Sequence, residues 1–293
     1  MASAPDLLPH EDDGVYLTDG GLETDLIFLR GIDLPEFASF PLLDDDALRE
    51  VLRDYYRDYL HIGASAQVGM VLETPTWRAS SEWGELLGYD AARLADVNRR
   101  AVELIAELRH TDGEAGVVIS GCIGPRGDAY VDLGSMTPEQ ATDYHRVQAA
   151  ALAAAGADVI SGMTLTNVAE AVGVVRAAAL EGLPSVVSFT VETDGRLPDG
   201  TDLADAIAAV DDQTDSAAAY YLINCAHPDH FRSTLDESAE PLGRLRGVKA
   251  NASRMSHAEL DESPELDDGD PLEFGGQLAA LHAAHPHLNV LGG

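Results

Sequence analysis

Two thiols, a few carboxylates and one lysine are the groups in this chain best able to do chemistry rather than pack. Cys225 follows Asn224, and Cys225, His227 and His230 have the Cys-x-His-x-x-His spacing of a compact metal site. Pro228 opens a helix between them, however, so the two histidines read better as a loop and first-turn pair than as ligands. Asp19-Gly20-Gly21 sets a carboxylate beside two residues without side chains, where a ligand can approach the backbone, although Asp-Gly is also an ordinary turn pair. Glu73, Glu192, Asn224 and Asn251 add carboxylates and amides. Cys122, at the end of a β-branched run, reads as a small buried core residue. Lys249, the only lysine, is the sole Schiff-base candidate. His282, His285 and His287 around Pro286 read as a solvated helix end.

These groups need a scaffold that gathers them. From Val15 onward, short β-branched runs alternate with longer stretches of helical period, the pattern of βαβ units around a parallel sheet. Strands are expected at Val15–Thr18, Ala66–Leu72, Gly116–Cys122, Asp158–Met163, Ser185–Val191, Ala218–Asn224, Arg246–Ala250 and Leu288–Leu291. Helices are expected near Asp45–His61, Ala91–His110, Pro138–Ala155, Asn167–Gly182, Leu203–Asp212, Pro228–Leu235 and Pro271–Ala284, with Ser256–Asp270 as an inserted loop. Thr137-Pro138-Glu139-Gln140 is a helix start, and Gly156 suits a left-handed helix end. The expected fold is an α/β (β/α)8 barrel lacking its last helix, with residues 1–293 as one domain and 1–14 as a flexible acidic N-terminus. In such a barrel the functional groups stand at the C-terminal strand ends. Asp19, Glu73, Glu192, Asn224, Cys225 and Asn251 all fall there, a polar set suited to a small zwitterion.

The 293 residues fit one barrel of about 250 residues or more. Against 18 basic residues stand 51 acidic ones, a formal charge of −33, so nucleic acid would be repelled. The acids are scattered rather than blocked, which points to solvated helix faces. Self-repulsion of that size also points to work in concentrated salt, as in a halophile. There is no apolar run of about 18 residues and no secretory n- and h-region, so neither a membrane nor export is expected. Two distant cysteines fit a reducing cytoplasm. The oligomeric state is left open.

Leu17–Leu26, Arg30–Leu34, Gly124–Tyr130, Gly156–Ile160, Ser188–Thr190 with Gly195–Gly200, and Ile223–Pro228 follow one another along the strand ends. Together they resemble the homocysteine S-methyltransferase family, which includes enzymes using S-methylmethionine or betaine. The resemblance runs over nearly the whole chain, and its strength lies in the order of the segments, one strand end after another. It implies a zinc-dependent transfer of a methyl group from an onium donor to the thiolate of homocysteine, giving methionine. It implies that Cys225 is one zinc thiolate, and that Gly292-Gly293 match the glycines preceding a pair of further cysteine ligands. On that reading the chain is truncated at its C-terminus. Asp19, Gly20 and Gly21 would line the homocysteine site, with Trp77 near the methyl donor. Where many relatives carry a Glu after strand four, this chain has Met163-Thr164, so Glu73 or Glu192 would take the amino group. A catalytically inactive or metal-free barrel that binds a small zwitterion is the alternative.

Overall fold

The computed structural model of the protein describes residues 8–112, 116–127, 136–236, 240–261, 263 and 265–293. Among them, eight parallel strands close into a barrel in sequence order. They are β1 Tyr16–Thr18, β2 Gly69–Glu73, β3 Val117–Ile123, β4 Val159–Leu165, β5 Ser185–Thr190, β6 Ala218–Asn224, β7 Leu245–Lys249 and β8 Val290–Gly292. Closure is made where Leu17 on β1 stands opposite both Met70 on β2 and Leu291 on β8.

The helices follow the expected alternation. They are the short α1 Leu22–Thr24, α2 Asp46–Ala66, α3 Ser81–Leu86, α4 Ala91–Thr111, α5 Pro138–Ala155, α6 Val168–Leu180, α7 Leu203–Thr214, α8 Pro228–Asp236, α9 His257–Asp261 and α10 Pro271–Ala284. Local chemistry sets many of their ends. Asp45 accepts from the amides of Ala47 and Leu48. Thr137 and Gln140 form the reciprocal capping pair expected of them, and Gly156 ends α5 at φ 95°.

Three expectations change. Ala66 ends α2 rather than starting a strand, because Gln67 turns left-handed at φ 58° and caps the helix. The stretch read as an inserted loop carries α9, and α3 was not foreseen; both are too short for a periodic signal to rise above their polar surroundings. Of the residues read as a flexible N-terminus, 1–7 lie outside the described residues. Residues 8–14 cross the N-terminal face of the barrel, where Asn289 Nδ2 donates to the carbonyls of Pro9, Asp12 and Gly14. Part of the segment Gly124–Tyr130 also lies outside, since residues 128–135 are not described.

Strand alternation divides the core in two. One row of each strand points inward, and Tyr16, Val71, Val118, Val159, Val186, Tyr220, Leu222 and Val290 fill the lower barrel. The other row packs outward against the helices, as Ile119, Ile160, Val187, Phe189, Tyr221 and Ile223 do. Moving up the inward rows, apolar residues give way to Ser120, Ser161, Ser188, Thr190, Asn224, Glu73 and Lys249. That change is what makes the upper barrel a place for chemistry. Close packing also fixes its shape: a Cβ at Gly247 would stand 1.9 Å from the Val290 carbonyl oxygen, so β7 and β8 approach only because residue 247 has none.

Candidate active site

The upper mouth holds two polar groups that meet at Lys249. In the first, Lys249 reaches across β8, and its Nζ lies 2.9 Å from Asp19 Oδ1 and 3.2 Å from Glu73 Oε2. Only 2% of the Asp19 side chain is exposed, and 13% and 12% of those of Lys249 and Glu73. Burial pushes the Asp19 carboxyl up to about 7, against the pull of the Lys249 ammonium and with help from Glu73. Burial works to lower Lys249, but the adjacent Asp19 and Glu73 outweigh it and hold the ammonium well above its ordinary value. An ammonium held charged by two neighbouring carboxylates is a poor Schiff-base nucleophile, which counts against Lys249 in that role. Glu23, on α1, belongs to the same surroundings; burial raises it, and it accepts a hydrogen bond from Ser39 Oγ at 2.7 Å. The cluster therefore has more carboxyls than cations.

The second group is built on the end of β6. Asn224 points inward and uses all its polar atoms. Its Oδ1 accepts from the Thr164 amide at 3.0 Å and from Ser188 Oγ at 2.6 Å. Its Nδ2 donates to Thr164 Oγ1 at 2.8 Å and to Cys225 Sγ at 3.0 Å. Asn224 thus locks β4, β5 and β6 together and fixes the sulfur on its inner side. Cys225 itself is left-handed at φ 58°, and its amide donates to the Lys249 carbonyl at 3.1 Å, which ties the two groups to each other. Asn251 Nδ2 donates to the Cys225 carbonyl at 3.1 Å.

Trp77 forms a third corner. Its indole Nε1 donates to the Met163 carbonyl at 3.4 Å, its own carbonyl accepts from the Gly124 amide at 3.0 Å, and the Arg78 guanidinium lies 4.7 Å from its ring. A Cβ at Gly124 would stand 2.4 Å from the Trp77 carbonyl oxygen, so the glycine is required for this approach. Gly20 takes a hydrogen bond at its carbonyl from Tyr55 at 3.0 Å, and Gly21 caps α1. The end of β8 comes to the same mouth: the Ala250 amide donates to the Gly292 carbonyl at 2.8 Å, and a Cβ on Gly20 would be 3.7 Å from the Gly293 carbonyl oxygen.

The structure therefore gathers Asp19 with Glu73, and Asn224 with Cys225 and Asn251, while Trp77 stands at the rim. Glu192 joins the second group through His257 and not the carboxylates of the first, its Oε1 lying 3.4 Å from His257 Nδ1. Sequence reasoning missed His257, Glu23 and Ser188 as members of the site, and noted Thr164 only within the pair Met163-Thr164 after strand four. A trace of His257 was present, because Ser256-His257-Ala258-Glu259 has capping-box spacing and so announces a helix start. His227 and His230 do not join Cys225: His227 Nδ1 accepts from the Asp229 amide, and His230 Nε2 meets the Arg254 carbonyl. Cys122 is buried, and burial followed by the Glu73 charge pushes its thiol up, so it is a poor nucleophile. Among the described residues no three His, Cys, Asp or Glu side chains converge as a metal site.

Residues 16–293 match the family model for homocysteine S-methyltransferase. The chain is 30% identical over 220 residues to the homocysteine S-methyltransferase of Escherichia coli (strain K12), covering 69% of this chain and 66% of that protein. It is 26% identical over 206 residues to the homocysteine S-methyltransferase YbgG of Bacillus subtilis (strain 168), covering 64% and 62%. These matches thus span just under two thirds of the two relatives. The selenocysteine Se-methyltransferase of Brassica oleracea var. italica is 25% identical over 278 residues, covering 86% of this chain and 77% of that protein. Among solved structures, the metallated form of the homocysteine methyltransferase MmuM from Escherichia coli superposes with a TM-score of 0.71 at 23% identity, over 97% of this chain and 92% of that one, a likeness of fold. With a match that runs from the first strand of the barrel to its last residue, the chain belongs to the homocysteine S-methyltransferase family.

Proposed function

We infer that this chain transfers a methyl group from an onium donor, of the S-methylmethionine or betaine type, to the sulfur of homocysteine, giving methionine. The observation that carries the reading is the Asp19–Lys249–Glu73 cluster at the same strand ends as Cys225, whose amide is bonded to the Lys249 carbonyl and whose sulfur accepts from Asn224 Nδ2. A mouth with more carboxyls than cations favours the ammonium of an amino acid and the positive charge of the donor. Asp19 and Glu73 are the acceptors for that ammonium, and Lys249 is the donor for a carboxylate. In the reaction the acceptor sulfur forms a bond to the methyl carbon as the carbon–sulfur or carbon–nitrogen bond of the donor breaks. The electron pair leaves with a neutral sulfide or amine, and the acceptor thiol gives up its proton. Rate then depends chiefly on alignment at near-contact, the task for which a rigid mouth is suited.

The finer reading assigns Cys225 as a zinc thiolate. A catalytic zinc takes about three protein ligands and an open position, and around Cys225 no such set of His, Cys, Asp or Glu side chains converges among the described residues. The described residues thus do not by themselves fit a zinc centre. Asp19, Gly20, Gly21, Glu73, Glu192, Asn224 and Asn251 are proposed to contact substrate or to hold groups that do, with Trp77 on the donor side. The cytoplasm is the proposed setting, in keeping with two cysteines far apart in the sequence.

The test is to supply homocysteine with S-methylmethionine or betaine, with and without added zinc, and to measure methionine and bound metal. Methionine formation that depends on Cys225 supports the proposal. No methionine under any of these conditions, with homocysteine still bound by calorimetry, would establish the non-catalytic zwitterion-binding barrel instead.

A further inference from the structure

Cys225 is held at every polar atom it has. Its amide, sulfur and carbonyl are engaged by Lys249, Asn224 and Asn251, all at the ends of β6 and β7 where barrel closure sets their places. A fourth contact comes from outside the strands: His257 Nε2 lies 2.6 Å from the Cys225 carbonyl oxygen. A carbonyl only accepts, so the proton sits on Nε2 and the ring donates. A left-handed conformation at a residue with a side chain is unfavourable and persists where the surroundings over-determine it.

The approach of His257 is itself built. Ser256 and Glu259 cap each other across the start of α9, with contacts of 2.8 and 3.3 Å. Upstream, Ser253 Oγ donates to Asp267 at 2.6 Å and accepts from the Met255 amide at 3.1 Å, and Arg254 pairs with Asp229 at 3.0 Å. The ring is 10% exposed, with Thr190 Oγ1 at 3.3 Å and Glu192 Oε1 at 3.4 Å. A surface histidine caught by chance would not need so many supports.

We propose that His257 is a positioning residue for Cys225: by donating from Nε2 to the Cys225 carbonyl, it holds the left-handed turn that sets the sulfur against the Asn224 amide at the barrel mouth. This rests on the reading of Cys225 as a functional group, and it gives the segment after β7 a task in the site. Release of the carbonyl lets the backbone relax toward ordinary φ and swings the sulfur off Asn224 into the open mouth.

The experiment uses the full chain without added metal. Wild type, His257→Ala and His257→Gln are alkylated with iodoacetamide, and modification of Cys225 and Cys122 is followed separately by peptide mass spectrometry. In His257→Ala the Cys225 rate is expected to rise at least about fivefold, the population change that a modest loss of local stability produces. Buried Cys122, 3% exposed, serves as the internal standard and stays unchanged. His257→Gln, whose amide can donate to the same carbonyl, restores the wild-type rate. A Cys225 rate in His257→Ala that is unchanged or slower overturns the proposal, as does a Gln variant that behaves like Ala or a parallel acceleration at Cys122. Alkylation needs no turnover, so failure of the methyltransferase reading is seen separately, in the absence of methionine from the wild type.

Discussion

Replacing Lys249 with methionine removes the one cation that faces Asp19 and Glu73 at 2.9 and 3.2 Å and leaves two largely buried carboxyls side by side. Breaking a buried pair from one side costs about 3–5 kcal/mol, because the charge left behind is uncompensated. Asp19 has an escape, since its folded-state value of about 7 lies far above the ordinary 3.8. For a carboxyl raised in this way, the stabilisation from protonation is complete below the ordinary value and is lost as pH rises through the folded one. Without Lys249 the folded-state value moves still higher. At pH 8 the wild type keeps a paired, ionised Asp19 that the variant cannot keep, and the variant should lose about 3–5 kcal/mol. At pH 5 Asp19 holds a proton in both proteins, and the loss should shrink to about 1–2 kcal/mol, the scale of missing hydrogen bonds. Guanidinium unfolding of both proteins at pH 5 and pH 8, at one fixed ionic strength, measures the difference. Adding Asp19→Asn to the variant should recover part of the loss at pH 8. Equal losses at the two pH values would refute the assignment of Asp19 as the group that absorbs the change.

Other consequences follow from the same geometry. Asn224→Ala leaves the Thr164 amide and Ser188 Oγ without their shared acceptor and should cost about 2–3 kcal/mol, read as a lower denaturation midpoint. A wild-type midpoint would show that the network does not bear on stability. Gly124→Ala forces a methyl against the Trp77 carbonyl and ring, so tryptophan fluorescence should shift and stability should fall by about 1–3 kcal/mol. With a formal charge of −33, the melting temperature should rise on going from dilute buffer to molar KCl, and a fall would sink the expectation of a salt-adapted protein.

Most of the barrel was legible in the chain because its signals are local. Alternating β-branched and Ala-rich runs give the strand and helix order, and Thr137-Pro138 and Gly156 mark the ends of α5 by their own chemistry. The strand ends could likewise be named in advance, so Asp19, Glu73, Asn224, Cys225 and Asn251 were found as candidates. Which of them meet was not local. Asp19 and Lys249 are 230 residues apart in sequence, and only barrel closure through β8 brings them within 2.9 Å. Lys249 looked like a nucleophile when read alone, and becomes a fixed charge once two carboxylates stand beside it. Glu192 appeared equivalent to Glu73 as a partner for an amino group, until the strand order set it on the far side of the mouth beside His257. Periodicity and capping act over one or two turns and are written in neighbouring residues. Pairing across the mouth depends on closure, inward register and burial, which exist only when the eight strands are assembled.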